Sequence, residues 1–137
     1  MLMSYLCDNY RAGFHRFRIV VEDRQTGMKD DTLQLLHALG FIYANHGQTK
    51  RALVLQLLAS HLEPENRSIL RTLAYTFLSD GAPDRALAVI ARLRSLDDDD
   101  PSLDLLQSRA LWYAGQRADA RRFFQHFILR RRQASHA

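Results

Sequence analysis

Three glycines, Gly47, Gly81 and Gly115, stand 34 residues apart, and Ala52, Ala86 and Ala120 follow in the same phase, each five residues later. Spacing of this kind means that one supersecondary unit is copied along the chain, each copy burying its apolar face against the next. Within the units the apolar residues recur at intervals of three and four, as in Leu53-Leu57-Leu58 and Ala86-Ile90-Leu93, which is the helical pattern. Six glycines and three prolines in 137 residues are too few for the turns of an all-β chain.

A 34-residue helical period is that of the tetratricopeptide repeat, two antiparallel helices joined by a tight turn. The expected fold class is therefore all-α, three such helix-turn-helix repeats in a short right-handed solenoid. The repeats occupy about 33–66, 67–100 and 101–131 of a domain spanning 30–131, with a basic tail at 132–137. Counted from Leu33, the first repeat places Leu36, Leu39, Gly40, Tyr43, Gly47, Ala52, Ala59 and Pro64 in register. Only Gln56 departs, where a large apolar residue is usual. The second, from Arg67, has Leu70, Leu73, Ala74, Phe77, Gly81, Ala86 and Ile90, but Leu93 replaces a small residue. The third keeps Leu111, Gly115, Ala120 and Phe124, and carries Asp104, Gln107 and Ser108 on its first helix. Terminal repeats are commonly the least regular.

Each slot has a physical reason. Small residues at Gly40, Ala74 and Ser108, and at Ala52, Ala86 and Ala120, allow the helices of a pair to approach closely. The glycines fall where the first helix must stop and reverse, a position that favours φ > 0. Pro64 and Pro101 are placed to open the next helix, where a missing N–H costs nothing. Helices are expected over Asp31–Asn45, Thr49–Ser60, Pro64–Ser79, Pro83–Leu96, Pro101–Ala114 and Arg117–Arg131.

The net charge of +4 gathers at Arg11, Arg16 and Arg18 and at Arg130–Arg132. Without a nucleic-acid motif these read as solvated ends, and no nucleic-acid partner is expected. Cys7, the single cysteine, permits no intrachain disulfide and reads as a packing residue. No apolar run approaches the roughly 20 residues of a membrane span, and the opening residues lack a secretory pattern, so a cytoplasmic location is expected, peripheral to a membrane at most. Residues 1–29 stand outside the repeat. They read as a helix capping the first repeat, as a partly ordered tail, or as residues upstream of a natural start at Met28.

No catalytic chemistry emerges from the motifs. His37 and His46, nine residues apart on one helix, face opposite ways, and His61 and His126 read as residues near helix C-termini. HExxH, CxxC, GxSxG, P-loop and GxGxxG patterns are missing. Asp97–Asp100 reads as a solvated linker with capping carboxylates. The expectation is of no enzyme activity, no cofactor, no metal and no small-molecule substrate. The surface that a stacked array makes by itself is the better candidate. Its groove-facing slots supply His37, Phe41, Arg71, Tyr75, Leu78, Leu105, Arg109, Trp112 and Tyr113 as partner-binding residues, with room for only one of Trp112 and Tyr113 to face fully outward. Aromatics and arginine are the residue types that anchor interfaces. Repeats that clamp a C-terminal carboxylate use Lys and Asn where this chain has His37 and Phe41. An apolar helix or extended segment is therefore the expected ligand.

The stretches Leu35-Leu36-His37-Ala38-Leu39-Gly40-Phe41, Leu62-Glu63-Pro64-Glu65 and Ala120-Arg121-Arg122-Phe123-Phe124-Gln125-His126-Phe127 together resemble the small tetratricopeptide chaperones of bacterial type III secretion, in particular the SctY/YscY group. The resemblance covers about residues 30–131. It implies a cytoplasmic chaperone that forms a heterodimer with a secreted SctX/YscX-like protein and docks on the export-gate component SctV. The needle-subunit cochaperone SctG, the translocator chaperones of the SycD/LcrH type and tetratricopeptide scaffolds unrelated to secretion share the same expected fold.

Overall fold

A computed structural model describes residues 28–96 and 99–137, with side chains from residue 30 onward. The expectations for Cys7, for the N-terminal arginines and for a capping helix before residue 28 lie outside the described residues. The described residues form six helices and no strand. They are α1 (Met28–Asn45), α2 (Thr49–Leu62), α3 (Arg67–Ser79), α4 (Pro83–Ser95), α5 (Pro101–Tyr113) and α6 (Arg117–Ser135). Leu33–Ala137 constitutes one packing unit.

The turns repeat as the spacing requires. Gly47, Gly81 and Gly115 have φ of 73°, 75° and 84°, a left-handed conformation that side chains with a Cβ resist. At each turn the residue after the glycine donates to a carbonyl five residues back: Gln48 to Tyr43, Ala82 to Phe77 and Gln116 to Leu111, all at 2.9 Å. Each glycine N–H donates three residues back, to Ala44, Leu78 and Trp112. This pair of bonds is the Schellman closure, which satisfies carbonyls that the helix end would otherwise leave open. α1, α3 and α5 end in it, and α2, α4 and α6 follow after a short reversal.

Helix starts differ from the sequence expectation in two places, the first being α1, which opens at Met28 rather than Asp31. Pro64 lies in a turn, and α3 begins at Arg67 because Asn66 caps it, accepting from the N–H groups of Ser68 at 3.1 Å and Ile69 at 3.3 Å. Asp100 caps α5 in the same way, accepting from Ser102 N–H at 2.8 Å. Pro83 and Pro101 do open their helices. α6 continues to Ser135, so most of the stretch expected as a tail from residue 132 is helical.

Packing is sequential. α2 lies on α3, α3 on α4, α4 on α5 and α5 on α6, while α3 also touches α5 directly. The core runs through Leu53, Leu70, Leu73, Ala74, Phe77, Ala86, Ile90, Leu93, Leu103 and Leu106. A smaller cluster of Leu33, Ala59 and Ile69, with Leu36 against it, joins α1 to α2 and α3. The small slots work as expected, since Ala52, Ala74, Ala86 and Ala120 are all buried. Ser108, also buried, adds a bond of 2.7 Å from its hydroxyl to the Ala120 carbonyl. The 34-residue register also explains an apolar stripe on α1. Leu35, Leu39 and Ile42 are exposed, whereas their counterparts one repeat later, Ile69, Leu73 and Thr76, are buried between successive pairs.

Gln56, the irregular residue of the first repeat, is fully buried. Its carboxamide oxygen lies 2.8 Å from the Thr76 hydroxyl, which also lies 2.8 Å from the Thr72 carbonyl, while Nε2 has no partner. A hydroxyl has one proton, so a half-turn of the carboxamide satisfies the group: Nε2 then donates to Thr76 and Thr76 to Thr72. Gly40 makes the space for this side chain. A Cβ at Gly40 would stand 2.8 Å from Gln56 Cγ, too close without a shift. Gly40→Ala is accordingly expected to destabilise by about 1–2 kcal/mol, although alanine favours helix by ~1 kcal/mol. Combined with Gln56→Ala it should cost less than the two single changes added, as read from urea midpoints. Strict additivity would show that Gln56 does not set the spacing of α1 and α2.

Candidate partner-binding face

The exposed residues of α3 and α5 lie along neighbouring helices, because these two helices touch. Tyr75 on α3 and Arg109 on α5 occupy the same slot in successive units, and the Arg109 guanidinium sits 5.8 Å from the Tyr75 ring centroid. Tyr113, one turn further along α5, holds the same guanidinium from its own ring, also at 5.8 Å. Both distances are within cation–π range. Trp112 is covered in part by Arg117 from the start of α6, at 5.2 Å. Arg71 pairs with Asp100 at 3.2 Å, which joins α3 to the cap of α5.

Not all of the groove slots face outward. Leu78 and Leu105 are each only 5% exposed, and Leu78 belongs to the main core. Contrary to expectation both are packing residues: α3 and α5 are covered on both flanks by neighbouring helices, so their twelfth and fifth slots are enclosed. Trp112 and Tyr113, expected to compete for one outward position, are 48% and 58% exposed and both face solvent. Arg109, Arg71, Tyr75 and Phe41 are partly exposed. Tyr75 also leans on the core, so its ring serves packing as well as surface. His37 is partly buried and lies 3.1 Å from Thr72 Oγ through Nε2. Thr72 spends its proton on the Ser68 carbonyl at 3.0 Å, so Nε2–H of His37 is the donor in that pair. Burial lowers the His37 pKa below its ordinary value and keeps the ring neutral.

The position of α5, and with it Arg109, Trp112 and Tyr113, depends on a buried carboxylate. Asp104 is 1% exposed. Arg94 of α4 reaches one oxygen at 2.5 Å; His126 Nδ1 and Arg130 of α6 reach the other at 2.8 Å and 3.4 Å. Arg94 also donates to Gln107 at 3.0 Å and lies over the Phe123 ring. Arg130 continues to the Asp99 carboxylate at 3.0 Å. Burial pushes the Asp104 pKa up, but hydrogen bonds and charge from Arg94 and His126 outweigh it, so the group ends below the ordinary carboxylate value. His126 thus lies within α6 and binds a buried acid, a correction to its reading as a residue near a helix C-terminus. Asp104 and Gln107, which make the third repeat irregular, add polar ties there: Asp104 links α5 to α4 and α6, and Gln107 links it to α4. A second tie, of Lys50 and Thr49 to Asp80, links the start of α2 to the end of α3. Its hydrogen bond to Lys50 is the main influence lowering the Asp80 pKa.

No group of three or more His, Cys, Asp or Glu residues among the described residues is arranged to hold a metal ion. No described helix is long and apolar enough to cross a membrane. No protein-family model matches the chain, and no curated protein matches it.

Arg117 and Asp100 are not among the partner-binding residues expected from the sequence. Asp100 was visible as a capping acid, but its pairing with Arg71 depends on how close α3 lies to α5. Arg117 follows a turn whose geometry alone brings it over Trp112.

Proposed function

We propose that the chain is a tetratricopeptide-type chaperone of bacterial type III secretion, most like the SctY/YscY group, that binds a secreted SctX/YscX-like protein through the face of its first helices. In this reading the pair then docks on the export-gate component SctV from the cytoplasmic side. The observation that carries a binding role is the exposed cluster of Tyr113, Trp112 and Arg109 on α5 beside Tyr75 on α3. Rigid aromatics with arginine, set on helices held by an internal ion-pair network, are what a protein interface needs. The repeated Schellman turns and close-packing slots support the repeat assignment, and the residues quoted for the resemblance support the secretion assignment.

Co-expression with an SctX/YscX-like protein should yield a stable 1:1 complex by light scattering. Tyr113→Ala and Trp112→Ala should each weaken it by about 2 kcal/mol or more, a hot-spot loss of roughly 30-fold, with thermal stability little changed because both side chains are largely outside the core. Tyr75 is the poorer test, since its replacement also loosens the core. Failure to co-purify would sink the secretion assignment; a complex indifferent to both α5 changes would sink the assignment of the face.

A further inference from the structure

Arg109 differs from the other cations of its face. Arg71 is paired with Asp100, and Arg117 stands over Trp112 at the margin of α6. Arg109 is gripped by two tyrosine rings and meets no carboxylate among the described residues. Cation–π contact does not use up the N–H donors of a guanidinium, and those donors match a carboxylate in bidentate fashion. Two rings that already hold the group reduce the rotamer entropy lost when a ligand arrives. Tyr75, Tyr113 and Trp112 supply apolar surface on either side. Among the described residues, the charged groups in these contacts are Arg71, Arg109 and Arg117 against Asp100, a positive balance.

Resting on the proposed binding face, we infer that its partner is an acidic segment of another protein, in which one Asp or Glu side chain lies against Arg109, within a helical turn of a leucine or aromatic residue seated against Tyr113 and Trp112. A nucleic-acid backbone is a poorer fit. It needs several free cations in a row, and here Asp100 already neutralises Arg71.

Selection of random peptides displayed on phage, fused through their C-termini so that no free terminal carboxylate is present, tests this on the full chain. Enriched sequences should carry Asp or Glu within four residues of Leu, Phe or Trp. The best of them, synthesised with an amidated end, should lose at least tenfold in affinity when its acid becomes the amide. Arg109→Gln should cause a similar loss, and the two changes together should cost little more than either alone. Arg109→Lys should restore part of the affinity. Sequences that depend on Tyr113 but carry no acid, or that are indifferent to Arg109→Gln, would overturn the inference and leave the binding face standing. Binding that needs a free C-terminus would overturn it in favour of a terminal carboxylate, and salt-sensitive binding of a duplex DNA lost in Arg109→Gln would overturn it in favour of nucleic acid. If no enriched sequence responds to Tyr113→Ala, the face itself fails, and the inference with it. The acid-to-amide change in the peptide keeps the test decisive even if an Arg109 variant folds poorly.

Discussion

Asp104→Ala should lower the free energy of unfolding by about 3 kcal/mol at pH 7, the lower end of the cost of breaking a buried ion pair. The reason for the lower end is which partner stays behind. Asp104 is the enclosed group, whereas the side chains of Arg94, His126 and Arg130 are 34%, 59% and 21% exposed and can turn their charge toward water. Arg94→Met leaves Asp104 buried with His126 and Arg130 still in reach, so it should cost less. The pH dependence follows from the lowered pKa. A carboxylate with a folded pKa below its unfolded value of about 3.9 contributes its stability above that value and loses it as pH falls through the folded value. The gap between the native chain and Asp104→Ala in urea unfolding should therefore be wide at pH 7 and 5 and should close progressively as pH falls below about 4. His37, also with a lowered pKa, begins to oppose folding below its ordinary value of 6.5, but does so in both proteins and cancels from the difference. A gap that stays constant into strong acid would mean that the Asp104 charge contributes nothing.

Leu93→Ala should destabilise by about 3 kcal/mol, even though it restores the small residue that the repeat pattern calls for at that slot. Leu93 is fully buried in the core that contains Leu70, Leu73, Leu103 and Leu106. Alanine there would leave a cavity that fixed helices on both sides cannot close. The equivalent slot in the first unit holds Ala59, equally buried, beside the smaller cluster of Leu33 and Ile69. There the pattern residue fits and a leucine would overpack. A loss of under ~1 kcal/mol for Leu93→Ala would show that α4 and α5 collapse around the gap, as a loosely packed junction does.

Leu93 and Ala59 mark the limit of sequence reading here. The 34-residue phase of Gly47, Gly81 and Gly115 made the reversals legible, because only a residue without a Cβ enters the left-handed conformation at little cost. Buried small slots were legible for the same kind of local reason: Ala52, Ala86 and Ala120 had to be small wherever two helices approach. A proline suits a turn as well as a helix start, and what decides between them at Pro64 is the Asn66 cap, which no repeat slot marks. Leu78 and Leu105 are buried against expectation because slot number gives the side of a helix but not how far its neighbours wrap round it.

Gln56, Asp104 and Gln107 all read as departures from the repeat, and packing turns each into a connection. What the sequence alone determined about this protein is its period, its helices and the glycine reversals between them, since these depend on backbone preference and on spacings of three and four. Only the tertiary structure decided which polar residues become buried and what they meet there. The Asp104 network and the Tyr75–Arg109–Tyr113 cation–π cluster each need side chains from different helices, and a charge or a ring acts over a few ångströms of space, whatever its separation along the chain.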